Sequence, residues 1–198
     1  MVFFLVGCFA LSTFFEQEKV DIQEIRETRG MFISYIELSN YLKGKSQKEG
    51  KESIQNMVSN VYDLGFNMII LQVRTFSDAI YPSSIFPWSS VVSREEGVAL
   101  DYDVLDAFLN FCHKKNMKLF AWINPYRIRG DEDISDLSED NPAVSYLNTD
   151  SIYISDGIYY NPAKEENKKL IVSGVKEIVK NYDVDGVLFD DYFYPSTE

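Results

Sequence analysis

The run Phe189-Asp190-Asp191-Tyr192-Phe193-Tyr194-Pro195 sets two adjacent carboxylates directly after Gly186-Val187-Leu188-Phe189, a short apolar stretch with the character of a buried strand. In parallel α/β sheets the ligand site lies beyond the carboxyl ends of the strands, so a carboxylate pair there points to substrate contact. A capping or ion-pair role at the strand end is the competing reading. Side chains alternate along a strand, which puts Asp190 with Leu188 and Asp191 with Phe189. Asp190 is therefore the expected reacting carboxylate, and Asp191 its orienter or a substrate contact. Hydrolysis of a glycosidic bond needs two carboxyl groups, about 5–5.5 Å apart for retention and about 6.5–9.5 Å apart for inversion. Neighbours on one strand point apart, so the partner has to come from Asp78, Glu37 or a part of the fold beyond the fourth strand.

Three earlier apolar stretches end in similar groups. The first offers Ser34, Tyr35 and Glu37; the second Gln72, Arg74 and Asp78; the third Asn124, Tyr126 and Arg127. Tyr81, Phe86, Trp88, Trp122 and Tyr192 crowd the same regions. Flat rings mixed with amides, carboxylates and arginines suit a pyranose, which has apolar C–H faces and a rim of hydroxyls. For Arg74 and Arg127, packing and ion pairing at the strand ends weigh equally with substrate contact. Asn124 either bonds a sugar hydroxyl or caps its loop. His113 is expected to be solvated on a helix, and with 1 histidine in the chain a Ser-His-Asp triad or a histidine-based zinc site is excluded. No cofactor is expected. The acidic run around Asp131, Asp136 and Asp140 lacks the residue order of an EF-hand and reads as a solvated loop.

The elements that must position these groups alternate. Strands are expected near residues 30–35, 67–73, 119–123 and 185–189. A helix carries Ile54, Met57, Val58 and Val61 at helical spacing and closes at Gly65. A second runs from about 103 to 115, with Cys112 on its apolar stripe as a buried thiol. A third starts near Pro162 and turns Ile171, Val175, Ile178, Val179 and Tyr182 inward. Helix-to-strand connections are short and strand-to-helix connections are long, so all elaboration falls at the carboxyl ends of the strands. That is the layout of a (β/α)₈ barrel. A Rossmann-type sheet is the alternative, but no glycine-rich phosphate loop follows any strand. Four units are half a barrel, so residues 26–198 read as the first four β/α units of one. Expressed alone, such a half is expected to be insoluble, partly unfolded or paired, and without glycosidase activity.

The 198 residues carry a net charge of −12, which disfavours nucleic acid as a partner. Residues 2–15 are almost wholly apolar, too short to span a bilayer and closer to a secretory core, so residues 1–18 form a signal-like segment. Within it Leu5-Val6-Gly7-Cys8 resembles a lipobox, implying a lipid anchor on Cys8 and an extracytoplasmic location. An ordinary cleaved signal or a buried first segment is the plainer reading.

Several motifs occur in order at successive strand ends: Arg29-Gly30, Ser34-Tyr35, Leu71-Gln72-Val73-Arg74, Ser77-Asp78-Ala79, Tyr81-Pro82-Ser83, Ala121-Trp122-Ile123-Asn124-Pro125-Tyr126-Arg127, Tyr159-Tyr160-Asn161-Pro162 and the closing Asp190-Asp191 run. Together they resemble the bacterial family-10 glycosyl hydrolase-like proteins. The resemblance implies a TIM barrel in an exported, often lipid-anchored protein acting on glycans, with peptidoglycan a plausible substrate. Its expected site is Asp190 and Asp191 for catalysis, with Arg74, Asp78, Trp88, Asn124, Tyr126, Arg127 and Tyr192 contacting the sugar. A carbohydrate-binding or scaffolding protein of the cell envelope is the alternative function.

Overall fold

The computed structural model describes residues 27–190. In chain order the main elements are β1 (Gly30–Ile33), α1 (Tyr35–Leu42), α2 (Gln47–Asp63), β2 (Met68–Arg74), α3 (Val104–Lys114), β3 (Lys118–Ile123), β4 (Arg127–Arg129), β5 (Ile152–Ile154), β6 (Ile158–Tyr160), α4 (Glu165–Asn181) and β7 (Gly186–Phe189). A short 3₁₀ turn, Pro142–Tyr146, precedes β5.

Local chemistry sets the helix ends. Ser46 caps α2 in a reciprocal arrangement, its hydroxyl accepting from the Glu49 N–H while the Glu49 carboxylate accepts from the Ser46 N–H at 3.0 Å. Ile54, Val58 and Val61 then recur at helical spacing and are buried. The helix stops at Gly65, whose φ of +87° few other residues adopt readily. There the N–H groups of Gly65 and Phe66 return to the carbonyls of Tyr62 and Val61 at 2.9 and 3.2 Å, closing the turn. Asp103 caps α3 by accepting from the Asp106 N–H at 3.0 Å, and Leu105, Phe108, Leu109 and Cys112 form its buried stripe.

The first sheet is parallel, in the order β1-β2-β3-β7, following the chain without reversal. Ile33, Leu71, Ala121 and Val187 lie side by side across the four strands. Ile33, Leu71 and Ala121, with Ile69 and Leu119, are buried in the main core with the apolar stripes of α2 and α3. The opposite face carries Phe32, Ile70, Gln72, Phe120, Trp122 and Leu188. It is less covered: Phe32 is 50% exposed, and its ring meets Trp122 edge-on at 5.4 Å. The expected α/β architecture with a parallel sheet is present.

Three details differ from the sequence reading. The first strand stops at Ile33, and Ser34 starts an additional helix, α1. The connection after β3 is not a plain loop: β4, β6 and β5 pair antiparallel into a second sheet with its own small core of Ile128, Ala143, Ile158 and Tyr160. In α4, Val179 is exposed rather than inward. The buried line runs through Asn167, Ile171, Gly174 and Ile178, and Val179 lies one residue further around the helix.

Removing the α2 cap tests how far this local chemistry supports the fold. Ser46→Ala is expected to lower stability by about 1 kcal/mol, read as a shift in the urea midpoint with an unchanged slope.

Candidate active site

Between Gln72 and Arg74 the β2–β3 register slips, Gln72 pairing with Trp122 and Arg74 with Ile123. Val73 is thus an extra residue, a bulge. It leaves Gln72 on the face of Trp122 and sends Arg74 to the helical side of the sheet. Arg74 is 1% exposed, and its guanidinium lies over the Phe86 ring at 3.6 Å. Gly174 of α4 makes room for both: a Cβ there would stand 2.4 Å from Arg74 Nη1 and 2.8 Å from Phe86. Less than one turn further along α4, the Glu177 carboxylate accepts from Ser83 Oγ at 2.5 Å and from Ser84 N and Oγ at 2.7 and 2.6 Å. These contacts fasten the long connection after β2 to α4.

Burial pulls Arg74 below the ordinary guanidinium range, opposed by the nearby Tyr81, Tyr160, Asp78 and Glu177. Asp78 is enclosed in the same region, and burial pushes its carboxyl up to about 6, with the Ser89 side chain the strongest opposing influence. Its Oδ1 has no hydrogen-bond partner among the described residues. Tyr160, from β6, joins through a 2.5 Å hydrogen bond between its hydroxyl and Ser77 Oγ.

The carboxyl-end rim of the sheet is a separate place. The Tyr35 N–H donates to Gln72 Oε1 at 2.9 Å, tying the start of α1 to the end of β2. The Asn124 N–H donates to the Arg74 carbonyl at 2.9 Å, and the Asp190 N–H to the Ile123 carbonyl at 3.2 Å, so the ladder continues to both residues. Asp190 is half-buried there and Asn124 is buried. Tyr126 is half-buried against the second core, and Arg127 opens β4 with its guanidinium 6.0 Å from the Tyr159 ring centroid. Trp88 is half-buried, bridges to Ala79 and packs on the main core. Asp191, Tyr192 and Cys8 lie outside the described residues.

The structure therefore brings Arg74 and Asp78 together in a closed cluster and sets Gln72, Asn124 and Asp190 on the rim. Glu37, nominated as a partner carboxylate, closes the capping box of α1. It accepts from Ser34 Oγ at 2.5 Å and Ser34 N at 2.9 Å, and the Ser34 hydroxyl holds it below the usual carboxylate range. His113 is exposed, 3.2 Å from Asp185. Gly174 and Glu177 are supports that sequence reasoning did not single out, and Tyr160 stood only within the Tyr159-Tyr160-Asn161-Pro162 motif; nothing in their own neighbourhoods marks a contact with Arg74 or its loop.

Residues 27–198 match the family described as Glycosyl hydrolase-like 10. The chain belongs to this family. It is 36% identical over 198 residues to the glycosyl hydrolase YngK of Bacillus subtilis, covering 98% of this chain and 38% of that protein. It is 33% identical over 153 residues to the glycosyl hydrolase DigH of Escherichia coli K12, covering 73% of this chain and 35% of the relative. The chain thus spans under two fifths of the length of these curated relatives. A noncanonic maltogenic α-amylase, AmyB of Thermotoga neapolitana, shares the fold at a TM-score of 0.54 and 12% identity, over 85% of this chain and 40% of that one. The described residues are accordingly a glycoside hydrolase-like domain of the glycosyl hydrolase-like 10 family, with TIM-barrel glycosidases among their structural neighbours.

The enclosed Asp78 gives this domain a definite pH dependence. Its carboxyl is raised in the folded state from 3.8 to about 6, so between these values the folded protein holds a proton that the unfolded chain has released. Stability contributed by this group is then complete below about pH 4 and declines as pH rises through about 6. Asp78→Asn is expected to flatten that decline, measured as urea midpoints from pH 4 to 7. An unaltered profile would remove the assignment.

Proposed function

We propose that the protein hydrolyses O-glycosidic bonds of a polysaccharide, with Asp190 as the reacting carboxylate. The observation that carries this reading is the place of Asp190, at the carboxyl end of β7 in a parallel sheet of a glycosyl hydrolase-like family. Strand-end carboxylates at this rim are where barrel enzymes keep their chemistry. Asp190 acts as nucleophile or charge stabiliser and Asp191 holds it or the sugar. Asn124, Tyr126, Arg127, Trp88 and Tyr192 are assigned to the substrate side, and the enclosed Arg74 and Asp78 hold the loop that carries Trp88. Peptidoglycan is the proposed polymer.

The same reading takes the described sheet as four strands of a (β/α)₈ barrel. Two features support it: the strand order follows the chain without reversal, unlike a doubly wound sheet. The face carrying Phe32, Phe120, Trp122 and Leu188 is apolar and only partly covered, as the inner wall of a barrel is before its remaining strands close over it.

In the full-length protein, Asp190→Asn is expected to lower kcat on peptidoglycan by about 10²–10⁴-fold, with Asp191→Asn giving a smaller loss. Reducing-end release measured by mass spectrometry checks this. Full activity in both variants ends the carboxylate assignment, and retained glycan binding without product release by the native protein favours the carbohydrate-binding alternative.

We also propose export with a lipid on Cys8, supported by the apolar residues 2–15 and the Leu5-Val6-Gly7-Cys8 sequence. In a bacterial host the protein is expected in the membrane fraction, and Cys8→Ser should release it or block its processing. Fractionation unchanged by Cys8→Ser rejects the lipid anchor.

A further inference from the structure

Two clefts meet on the carboxyl-end side of the sheet, outside the Asp190 position and outside the Arg74 cluster. The first, of about 290 Å³, is lined by Tyr35, Ile36, Ser39, Asn40 and Lys43 of α1 and its end, with Ser90 and Val91 opposite. The second, of about 580 Å³, runs on between Arg94 and Arg129 and the acidic Glu95, Glu96, Asp136 and Glu139. Lys43 and Ser90 line both, so the two are one groove. Every wall comes from a segment following a strand of the parallel sheet: α1 and its end after β1, residues 90–96 after β2, and residues 129–139 after β3.

The groove has the chemistry of a sugar-binding surface. Tyr35 exposes 37% of its surface at the end nearest the sheet, its ring steadied edge-on by Phe76 at 6.0 Å. Ser39, Asn40, Lys43 and Ser90 then supply hydroxyl, amide and ammonium groups, the donors and acceptors that a row of sugar hydroxyls requires. Glu96 is engaged internally, its Oε1 accepting from the Ser138 N–H and the Asn141 amide, both at 2.9 Å. Its other oxygen lies 3.9 Å from Arg129. Glu96 thus builds the wall. A shallow lining of this polarity does not suit an apolar small molecule, whose pockets are enclosed and mostly apolar.

Position adds the second argument. Tyr35 stands at the end of β1, held to β2 through Gln72, whereas Asp190 ends β7, three strands away along the rim. At about 4.8 Å per strand spacing that separation is roughly 14 Å, longer than a single sugar ring reaches. We infer that the groove from Tyr35 through Lys43 to Arg129 is an extended binding site for a glycan strand, which it grips several sugars away from the bond at Asp190. This rests on the glycosidase reading and deepens it by placing the distal grip on the polymer at Tyr35 and Lys43.

The test is equilibrium co-sedimentation of the full-length protein, in an Asp190→Asn background, with insoluble peptidoglycan, while cleavage by the otherwise native protein is followed in parallel. Tyr35→Ala and Lys43→Ala are each expected to weaken binding about tenfold, as loss of a stacking platform or of a central donor would. Tyr35→Phe, which keeps the ring, should bind as the parent does, separating stacking from any disturbance of α1. Parent-like binding by both alanine variants overturns the groove while leaving hydrolysis intact if the native protein still cleaves. Absence of binding by the parent overturns it also. Failure of cleavage with the alanine effects present removes the hydrolase reading and leaves the groove as a glycan-binding site.

Discussion

Arg74 carries a charge into the interior, and the parts of the structure around it are arranged to make that tolerable. A buried cation without compensation costs several kcal/mol, so its surroundings cannot be left to drift. The Phe86 ring at 3.6 Å supplies a cation–π contact worth about 2 kcal/mol or more when shielded from water. Tyr81, Tyr160, Asp78 and Glu177 oppose the loss of its charge from three different segments. The connection after β2 brings Tyr81 and Asp78, β6 brings Tyr160, and α4 brings Glu177. Two long strand-to-helix connections and a helix are thereby drawn to one point. Loops of this length usually carry function because a rigid scaffold positions them, and here the scaffold reaches into the loops themselves.

The bulge at Val73 is what divides the molecule into support and rim. Without the slip in register, Arg74 would share the face of Gln72 and Trp122. With it, Gln72 stays on the open face and receives the Tyr35 N–H, while Arg74 passes behind the sheet to meet Gly174. The extra residue therefore turns Arg74 behind the sheet to hold the long connection, while Gln72, just ahead of it, holds α1 in front. The closed cluster is the consequence of this irregularity, as bulges beside functional sites commonly re-aim a side chain.

Much of this was legible in the sequence. Residues 68–73 are almost continuously apolar, as a strand covered on both sides must be, and the stripe of α3 with Cys112 inside it followed from spacing alone. Gly65 announced the end of α2. Other features had weaker signals. The strands β4, β5 and β6 have three residues each, too few for any period to show, so their region read as loop. The direction of Arg74 was hidden because alternation assumes an unbroken ladder. The helix α1 was readable in principle. Ser34 and Glu37 stand at capping-box spacing, followed by Leu38 and Leu42 four residues apart, but the apolar run before them extends the expected strand to residue 35 and leaves Glu37 just past its end.

The carboxylates show how the pieces constrain the chemistry. Within the described residues Glu37, Asp78 and Asp190 are the carboxylates expected to act at strand ends. Glu37 is bonded into a helix cap, and Asp78 is enclosed beneath its own loop with a raised pKa. Asp190 alone stands on the rim with the ladder running up to it. Successive residues of a strand point to opposite faces, so a carboxylate beside Asp190 in sequence cannot flank the same bond from the opposite side. A glycosidase built on this domain must therefore complete its pair across the mouth, from a segment facing Asp190 rather than one beside it. That requirement matches the geometry of a barrel, where opposing strand ends converge on a single substrate and no one strand supplies both groups.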